Sequence, residues 1–420
     1  MLPSTLADWL AHLESLHPKS IALGLDRVNQ VKDRLDLATP FTIITVGGTN
    51  GKGSTCAMLE RILNVAGYRT GLYTSPHLLR YNERVRINCE QASDDLLCEA
   101  FSAVEAVRGD VPLTYFEFGT LAAIWLFARE IIDIAILEVG LGGRLDAVNA
   151  LDADCAIVVS IGLDHTDYLG KTLESIANEK AHIYRANKPA IFADREAPTA
   201  LVDHARAINA NLQLFARDFG FETQDTQWQF WGRRGKHHGL PYPALRGRQQ
   251  LHNASAALAA LDEIKALFPV ALQHIKRGLL EVELPGRFQV LPGQPTIILD
   301  VAHNPPAVTV LAEQLRSMGR FARTHAVFGM LKDKDIASVV AIMKDLVHTW
   351  HLGSIEAPRG ASATDLLAHL TAQQRDTDAT CYASIGLAYD AACRQAKQND
   401  RIIVFGSFFT VAEAMKRKPI

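Results

Sequence analysis

Apolar residues along this chain fall into short unbroken runs, separated by stretches in which they recur every three or four positions. Runs rich in β-branched residues stand at 41–46, 70–74, 133–139, 155–161 and 189–193, and helical spacing marks 54–66, 94–107 and 117–130 between them. An unbroken apolar run is the pattern of a strand buried on both faces. Its alternation with helices predicts a wound parallel sheet. The polar stretch 215–250, punctuated by Trp and Gly, predicts a few antiparallel strands. The Ala-rich HNASAALAALDEIKALF, 252–268, predicts a helix that closes the first domain.

Next comes LPGRFQVLPGQP, 284–295, whose three prolines and two glycines predict an interdomain hinge. Beyond it, TIILDVAH, THAVFGML, the region of WHLGSIE, ATCYAS and DRIIVFGS are expected strands of a second α/β domain. The expected domains are 1–287 and 288–420.

Composition agrees with two cores: 420 residues, 48% hydrophobic, net charge −3. Neither sign of charge dominates, so the chain as a whole lacks the footprint of a nucleic-acid binder, and small molecules are the expected partners. The basic WGRRGKHHG, 231–239, reads as a solvated hairpin tip. Cys56, Cys89, Cys98, Cys155, Cys381 and Cys393 form no Cys-x-x-Cys pair and read as reduced core residues. The opening MLPSTLADWLAHLESLHP lacks the basic and apolar regions of a signal peptide, and LAAIWLFA, 121–128, is too short to span a bilayer. A cytoplasmic chain without membrane contact, and a buried helix at 121–128, are expected.

The strongest chemical signal is TIITVGGTNGKGSTCAMLERIL, 42–63, a strand running through a glycine-rich turn into a helix. Gly47, Gly48, Gly51 and Gly53 let backbone N–H groups turn inward toward an anion, the helix start adds its positive dipole end, and Lys52 adds a full charge. This is a phosphate cradle. Gly53 stands where the general motif has a hydroxyl residue, and Ser54 follows one place later. A P-loop kinase or motor ATPase would carry that hydroxyl directly after Lys52.

The wound-sheet rule directs attention to loops beyond the carboxyl ends of strands. Four of them carry chemistry: Ser75, His77, Glu83 and Arg84; Glu138, Arg144 and Asp146; Asp164, His165 and Asp167; Glu179 and Lys180. They are expected to converge on the phosphate loop. Glu138 interrupts an apolar strand, where a carboxylate is expensive unless it meets a cation. Magnesium on nucleotide phosphates fits, and a structural Glu satisfied by N–H groups or Arg is the alternative. His165 alone fits a packing role equally well.

The chain resembles the folylpolyglutamate synthases, above all the bacterial bifunctional dihydrofolate synthase/folylpolyglutamate synthases, within the ATP-dependent muramyl peptide ligases. The resemblance runs nearly end to end through LGLDRV, GTNGKGS, TSPHLLRYNERVR, LTYFEFGT, ILEVGLGGRLDAVN, LDHTDYLG, NEKAHIYR, LPGRF, DVAHNP, GMLKDKD and GSFFTV. It implies an α/β chain with a P-loop-type domain, a small antiparallel element and a smaller Rossmann-like C-terminal domain, with ATP between the two domains. It further implies a monomer that joins L-glutamate to dihydropteroate and to reduced folates through an acyl phosphate.

The resemblance also implies residue roles. Thr49, Asn50, Gly51, Lys52, Gly53 and Ser54 would hold the phosphates, and Asn253, Arg287 and Asp300 the base, phosphate and ribose. Ser75, Glu138 and His165 match magnesium ligands, and Lys180 matches a carbamylated lysine. Leu23, Gly24, Leu25 and Asp26, then Thr114, Tyr115, Phe116 and Glu117, then Leu145, Asp146 and Ala147, match the pterin site. Stacking on Phe116 and donation to Asp146 suit a flat pterin. His303, Asn304 and Ser407 are the expected glutamate side, where Pro306 and Phe409 depart from the common pattern. Proton removal from the amine falls to His165 or His303.

Overall fold

The computed structural model describes residues 3–19, 21–373 and 378–417, and the chain divides into two compact units. The first comprises Met1–Ala244 with Arg248–Glu283. It runs through α1 (Leu6–Ser15), α2 (Asp26–Leu35), β1 (Thr42–Gly47), α3 (Lys52–Val65), β2 (Thr70–Tyr73), β3 (Val85–Ile87), β4 (Glu90–Gln91), α4 (Asp94–Arg108), α5 (Tyr115–Arg129) and β5 (Ile134–Glu138). Then follow β6 (Cys155–Val158), α6 (Thr166–Leu169), α7 (Leu173–Ala181), β7 (Pro189–Phe192), α8 (Thr199–Ala207), β8 (Asn211–Leu214), β9 (Gly220–Thr223), β10 (Gln227–Gly232), β11 (Gly235–Pro241), α9 (Gln249–Ile264) and α10 (Leu272–Glu281).

Strand order in the main sheet is β4-β3-β2-β5-β1-β6-β7-β8. From β2 to β8 the pairing is parallel, while β3 and β4 add an antiparallel edge. The apolar runs of β1, β5 and β6 are buried almost throughout, as strands covered on both faces require. Because β1 lies between β5 and β6, the loops after all three strands open at one edge, at the point where the winding reverses. Trp9, Phe101, Phe118 and Phe127 fill one core cluster, and Val158, Ala181, Phe192 and Leu201 another.

The predicted antiparallel element is the three-stranded β11-β10-β9. Its basic hairpin is a solvent-exposed tip, as expected, with Arg233, Arg234, Lys236 and His238 at the surface; Arg233 pairs with Asp218, Arg234 with Glu263 and His237 with Asp262. The Ala-rich helix is not the last of its unit, because α10 follows. Gly278 inside LQHIKRGLLE counts against a helix in sequence, yet it is what lets α10 approach α3.

The second unit comprises Leu245–Gly247 with Leu284–Ile420. Its elements are β12 (Gln289–Leu291), β13 (Thr296–Leu299), α11 (Pro305–Ser317), β14 (Thr324–Phe328), α12 (Ile336–Met343), β15 (Thr349–Gly353), α13 (Ala363–Gln373), β16 (Ala379–Tyr382), α14 (Ile385–Gln395), β17 (Arg401–Phe405) and α15 (Phe408–Met415). The sheet order is β12-β13-β17-β14-β15-β16, parallel except for β12. Phe328, Trp350 and Phe405 are buried at its centre. The division between the units falls at the start of the 284–295 stretch, and the middle of that stretch is β12, bonded into this sheet.

A Cβ at Gly278 would stand 2.7 Å from the Cα of Ile62 on α3, a backbone atom that cannot swing aside. Gly278→Val is therefore expected to lower stability by about 1–3 kcal/mol through overpacking. The gain in helix propensity, under about 1 kcal/mol, does not offset this. Equilibrium urea unfolding checks it as a reduced midpoint.

Candidate active site

At the end of β1 the chain turns through Gly48, with φ +139°, and Gly51, with φ +88°. Here glycine is required twice over, since a Cβ at Gly51 would also stand 2.5 Å from Asn253 Oδ1. Helices α1, α4 and α5 are capped by the side chains of Thr5, Ser93 and Thr114, whereas α3 begins at Gly51 without a side-chain cap. An uncapped helix start beside a glycine turn offers its N–H groups to an anion. The loop is braced from the segment just after β6: Thr49 N–H donates to Ser160 O at 2.8 Å and Asn50 N–H to Ser160 Oγ at 3.0 Å. Ser54 is buried in the first turn of α3. Asn253 is buried behind the loop, its Nδ2 donating to Gln250 Oε1 at 2.9 Å and its Oδ1 without a described partner.

Two ammonium groups meet on one carbonyl oxygen. Lys52 Nζ donates to Gly48 O at 3.0 Å and Thr49 O at 3.2 Å, and Lys180 Nζ, from α7, donates to the same Gly48 O at 3.1 Å. Burial, reinforced by the Lys52 charge, brings Lys180 from its ordinary 10.5 down to about 7, against the opposing pull of Asp164 and Asp146. Gly143 lies flat on this helix, since a Cβ there would stand 2.6 Å from Glu179 O. Glu179 itself pairs with Arg144 at 2.8 Å.

Glu138 ends β5 and is 5% exposed. Its Oε2 accepts the Ser75 N–H at 3.1 Å. His165 occupies the left-handed region at φ +52°, an unfavourable conformation for a non-glycine residue, and its N–H donates to Asp164 Oδ1 at 2.8 Å.

Ser75 and His165 line one cavity of about 280 Å³ together with Leu23, Thr114, Phe116, Glu117, Leu145, Asp146 and Ala147. Phe116 lies over Gly140, where a Cβ would stand 2.7 Å from the ring. Asp146 accepts N–H groups from Leu141 at 2.8 Å and Val148 at 3.0 Å, and burial pushes its carboxyl up to about 6. Glu117 accepts Thr114 N–H at 2.7 Å and pairs with Arg27 at 2.8 Å, so α5 is tied to α2. The remaining expected pterin residues are not on the wall: Gly24 N–H donates to Leu145 O at 3.3 Å, Leu25 packs on the core, Asp26 is exposed, and Tyr115 lies against Tyr81. The wall also holds Arg84, one of the loop residues expected to converge on the phosphate loop, and Pro76, Gly140 and Leu141, to which the sequence attached no role. The glycine of VGLGG facing an aromatic helix start was the available signal for Gly140.

Arg84 is held in place by Nε donation to His77 Nδ1 at 2.8 Å. Burial and the Arg84 charge bring His77 down to about 4, so its ring is neutral and accepts.

Within the second unit, Asp300 follows β13 and accepts N–H groups from Phe288 and Ala302, both at 2.8 Å. Arg287 stands 5.0 Å from the Phe408 ring centroid. His303 Nδ1–H donates to Val301 O at 2.8 Å, which leaves Nε2 as the acceptor. Asn304 caps α11 and Ser407 caps α15, so both polar atoms are partly committed to helix starts. Phe409 is 51% exposed, and Pro306 lies in the first turn of α11.

Residues 46–261 match the Mur ligase middle domain, and residues 286–408 match the Mur ligase, glutamate ligase domain. The dihydrofolate synthase/folylpolyglutamate synthase of Escherichia coli (strain K12) is 45% identical over 414 residues, covering 98% of this chain and 95% of that protein. The chain belongs to the dihydrofolate synthase/folylpolyglutamate synthase family. A family structure described as E. coli FolC in complex with DHPP and ADP matches with a TM-score of 0.93 at 45% identity, over 98% of this chain and 97% of that one. Another, a bifunctional folylpolyglutamate synthase/dihydrofolate synthase with Mn, AMPPNP and L-glutamate bound, matches with a TM-score of 0.90 at 44% identity, over 98% of each chain.

The donors in this family member suit a nucleotide-borne divalent cation. Glu138 brings a carboxylate, Ser75 a hydroxyl and His165 an imidazole. Among the described residues no group of three or more His, Cys, Asp or Glu side chains is arranged to hold a metal by itself. A small hard cation with few protein ligands takes the rest from phosphate and water.

Lys180 supplies a test of this site's electrostatics. The unfolded chain keeps its proton up to about 10.5, and the folded chain releases it near 7. The unfolded state therefore binds the extra proton across that window, and stability falls as pH drops through it. In CO2-free buffer without nucleotide, Lys180→Met is expected to be more stable than wild type near pH 7, with the gap closing toward pH 10. Urea midpoints across that range check it.

Proposed function

We propose that this chain is an ATP-dependent ligase that joins L-glutamate to 7,8-dihydropteroate, making dihydrofolate, and adds further glutamates to reduced folates. The observation that carries the reading is the cavity in which Phe116 and Asp146 share a wall with Ser75 and His165, beside an uncapped glycine-turn helix start bearing Lys52. An aromatic face and a buried carboxylate suit a pterin with N–H donors. The Ser75 end borders the residues assigned to phosphate.

The acceptor carboxylate attacks the γ-phosphate of ATP in line, and the charge that develops is met by Lys52 and the N–H groups of Gly51 to Ser54 at the start of α3. The acyl phosphate that forms is then attacked by the α-amine of glutamate, and phosphate leaves an amide. The chain supplies no nucleophile; its work is orientation, charge neutralisation and exclusion of water. Glu138, Ser75 and His165 would hold Mg2+, which supplies Lewis-acid neutralisation of the phosphate oxygens when bound. Asn253, Arg287 and Asp300 are assigned to base, phosphate and ribose, and His303, Asn304 and Ser407 to the glutamate side. Leu23, Thr114, Phe116, Glu117, Leu145, Asp146 and Ala147 are assigned to the pterin.

Lys180 is assigned as a carbamate, formed when its neutral amine takes up CO2 and releases a proton. Its buried position and its pKa of about 7 support this, because a free amine is then present at neutral pH. The modification would replace an ammonium beside Lys52 with an anion. We assign the protein to the cytoplasm, as a monomer acting on small molecules and neither on nucleic acid nor at a membrane.

Phosphate release from ATP with magnesium and L-glutamate is expected with 7,8-dihydropteroate and with a reduced folate monoglutamate alike. Release with the folate alone removes the dihydrofolate synthase half, and release with neither removes the whole reading. Glu138→Ala is expected to abolish release while the urea midpoint stays near wild type; retained magnesium-dependent turnover refutes the metal assignment. Phe116→Ala is expected to raise KM for dihydropteroate with little change for ATP.

A further inference from the structure

Of the ionised side chains on the acceptor cavity wall, Glu117 and Asp146 are already engaged, by Arg27 and by backbone N–H groups. Arg84 differs. No carboxylate among the described residues lies within ion-pair distance of it, and the one hydrogen bond its side chain makes among them is the Nε contact to His77. Both Nη groups of the fork are therefore left over.

The fork is also held in place. Its central carbon stands 5.5 Å from the ring centroids of both Tyr81 and Tyr115. Those two rings meet edge to face at 5.8 Å and leave the guanidinium little freedom to swing. The segment that carries it is braced by Glu83, whose carboxylate accepts N–H groups from Leu78, Leu79 and Arg80 at 2.7–2.8 Å. Thr74 N–H donates to Arg84 O at 2.9 Å, so Arg84 stands across the ladder from the residue before Ser75. That is the end of the cavity assigned to phosphate.

We propose that Arg84 is the carboxylate-binding residue of the acceptor cavity, taking the acceptor's reacting carboxylate on its two Nη groups and presenting it toward the phosphate end. A planar fork matches a carboxylate in a bidentate manner, and one already held in place loses little freedom on binding. The proposal rests on the reading of this cavity as the acceptor site. It distinguishes acceptors by their acid group, where Phe116 and Asp146 act on the pterin.

The test is calorimetric titration of the full chain, with a non-hydrolysable ATP analogue and magnesium, against 7,8-dihydropteroate and against the same molecule lacking its carboxylate. Wild type is expected to prefer dihydropteroate by about 10- to 100-fold, the worth of a hydrogen-bonded charge. Arg84→Ala is expected to bind the two ligands alike, at the wild-type affinity for the carboxylate-free one, and Arg84→Lys to recover part of the preference. In turnover, Arg84→Ala is expected to raise KM for dihydropteroate and leave KM for ATP unchanged. Equal weakening of both ligands would mean that Arg84 only braces Tyr81 and Tyr115, and overturns the proposal. If wild type binds neither ligand, the acceptor-site reading falls first.

Discussion

The structure of the first unit turns on an excess of positive charge in a small, dry space. Lys52 and Lys180 both donate to Gly48 O, at 3.0 and 3.1 Å, beside a helix start that adds its own positive end. Such an arrangement is unfavourable until an anion arrives, which is why burial and mutual repulsion strip the proton from Lys180 so readily. Everything around the loop holds this tension in place. Ser160, just beyond β6, pins Thr49 and Asn50, Gly143 admits α7 to within contact, and Asn253 fills the space behind Gly51.

The acceptor cavity follows a different principle, in which its carboxylates serve the fold first. Asp146 holds the turn after β5 through two N–H groups, and Glu117 closes the start of α5 while gripping Arg27. Both nevertheless line the cavity. A wall made of residues that already have partners is rigid, and rigidity lowers the cost of orienting a ligand. Phe116 over Gly140 and Arg84 over Tyr81 and Tyr115 extend the same economy to the apolar and cationic walls.

The second unit repeats the theme at its own strand ends. Asp300 spends both oxygens on backbone N–H groups, Asn304 and Ser407 start helices, and His303 is fixed by Val301 O. β12 adds what punctuation does not show: between Pro285 and Gly286 on one side and Pro292 and Gly293 on the other, pairing with β13 orders the middle of the stretch. Proline is compatible with such an edge because it interrupts no ladder beyond its own position.

The sequence by itself determined the wound sheet, because strands buried on both faces must be continuously apolar, and it determined the phosphate loop, because glycine spacing and a lysine before a helix have a local cause. It also marked Glu138, since a carboxylate inside ILEVG conflicts with its surroundings. It did not determine α10, where Gly278 looks like a breaker until α3 is seen packed against it, nor which loop residues reach the cavity. Asp26 and Tyr115 lie in the right motifs and away from the wall, while Arg84 lies on it. Those outcomes depend on which side chains from distant segments meet, as Gly24 meets Leu145 and Arg84 meets His77, and no local period encodes them. The tertiary structure alone decided that Lys180 and Lys52 share a carbonyl 132 residues from the former, because only packing α7 against the loop after β1 brings the two charges together.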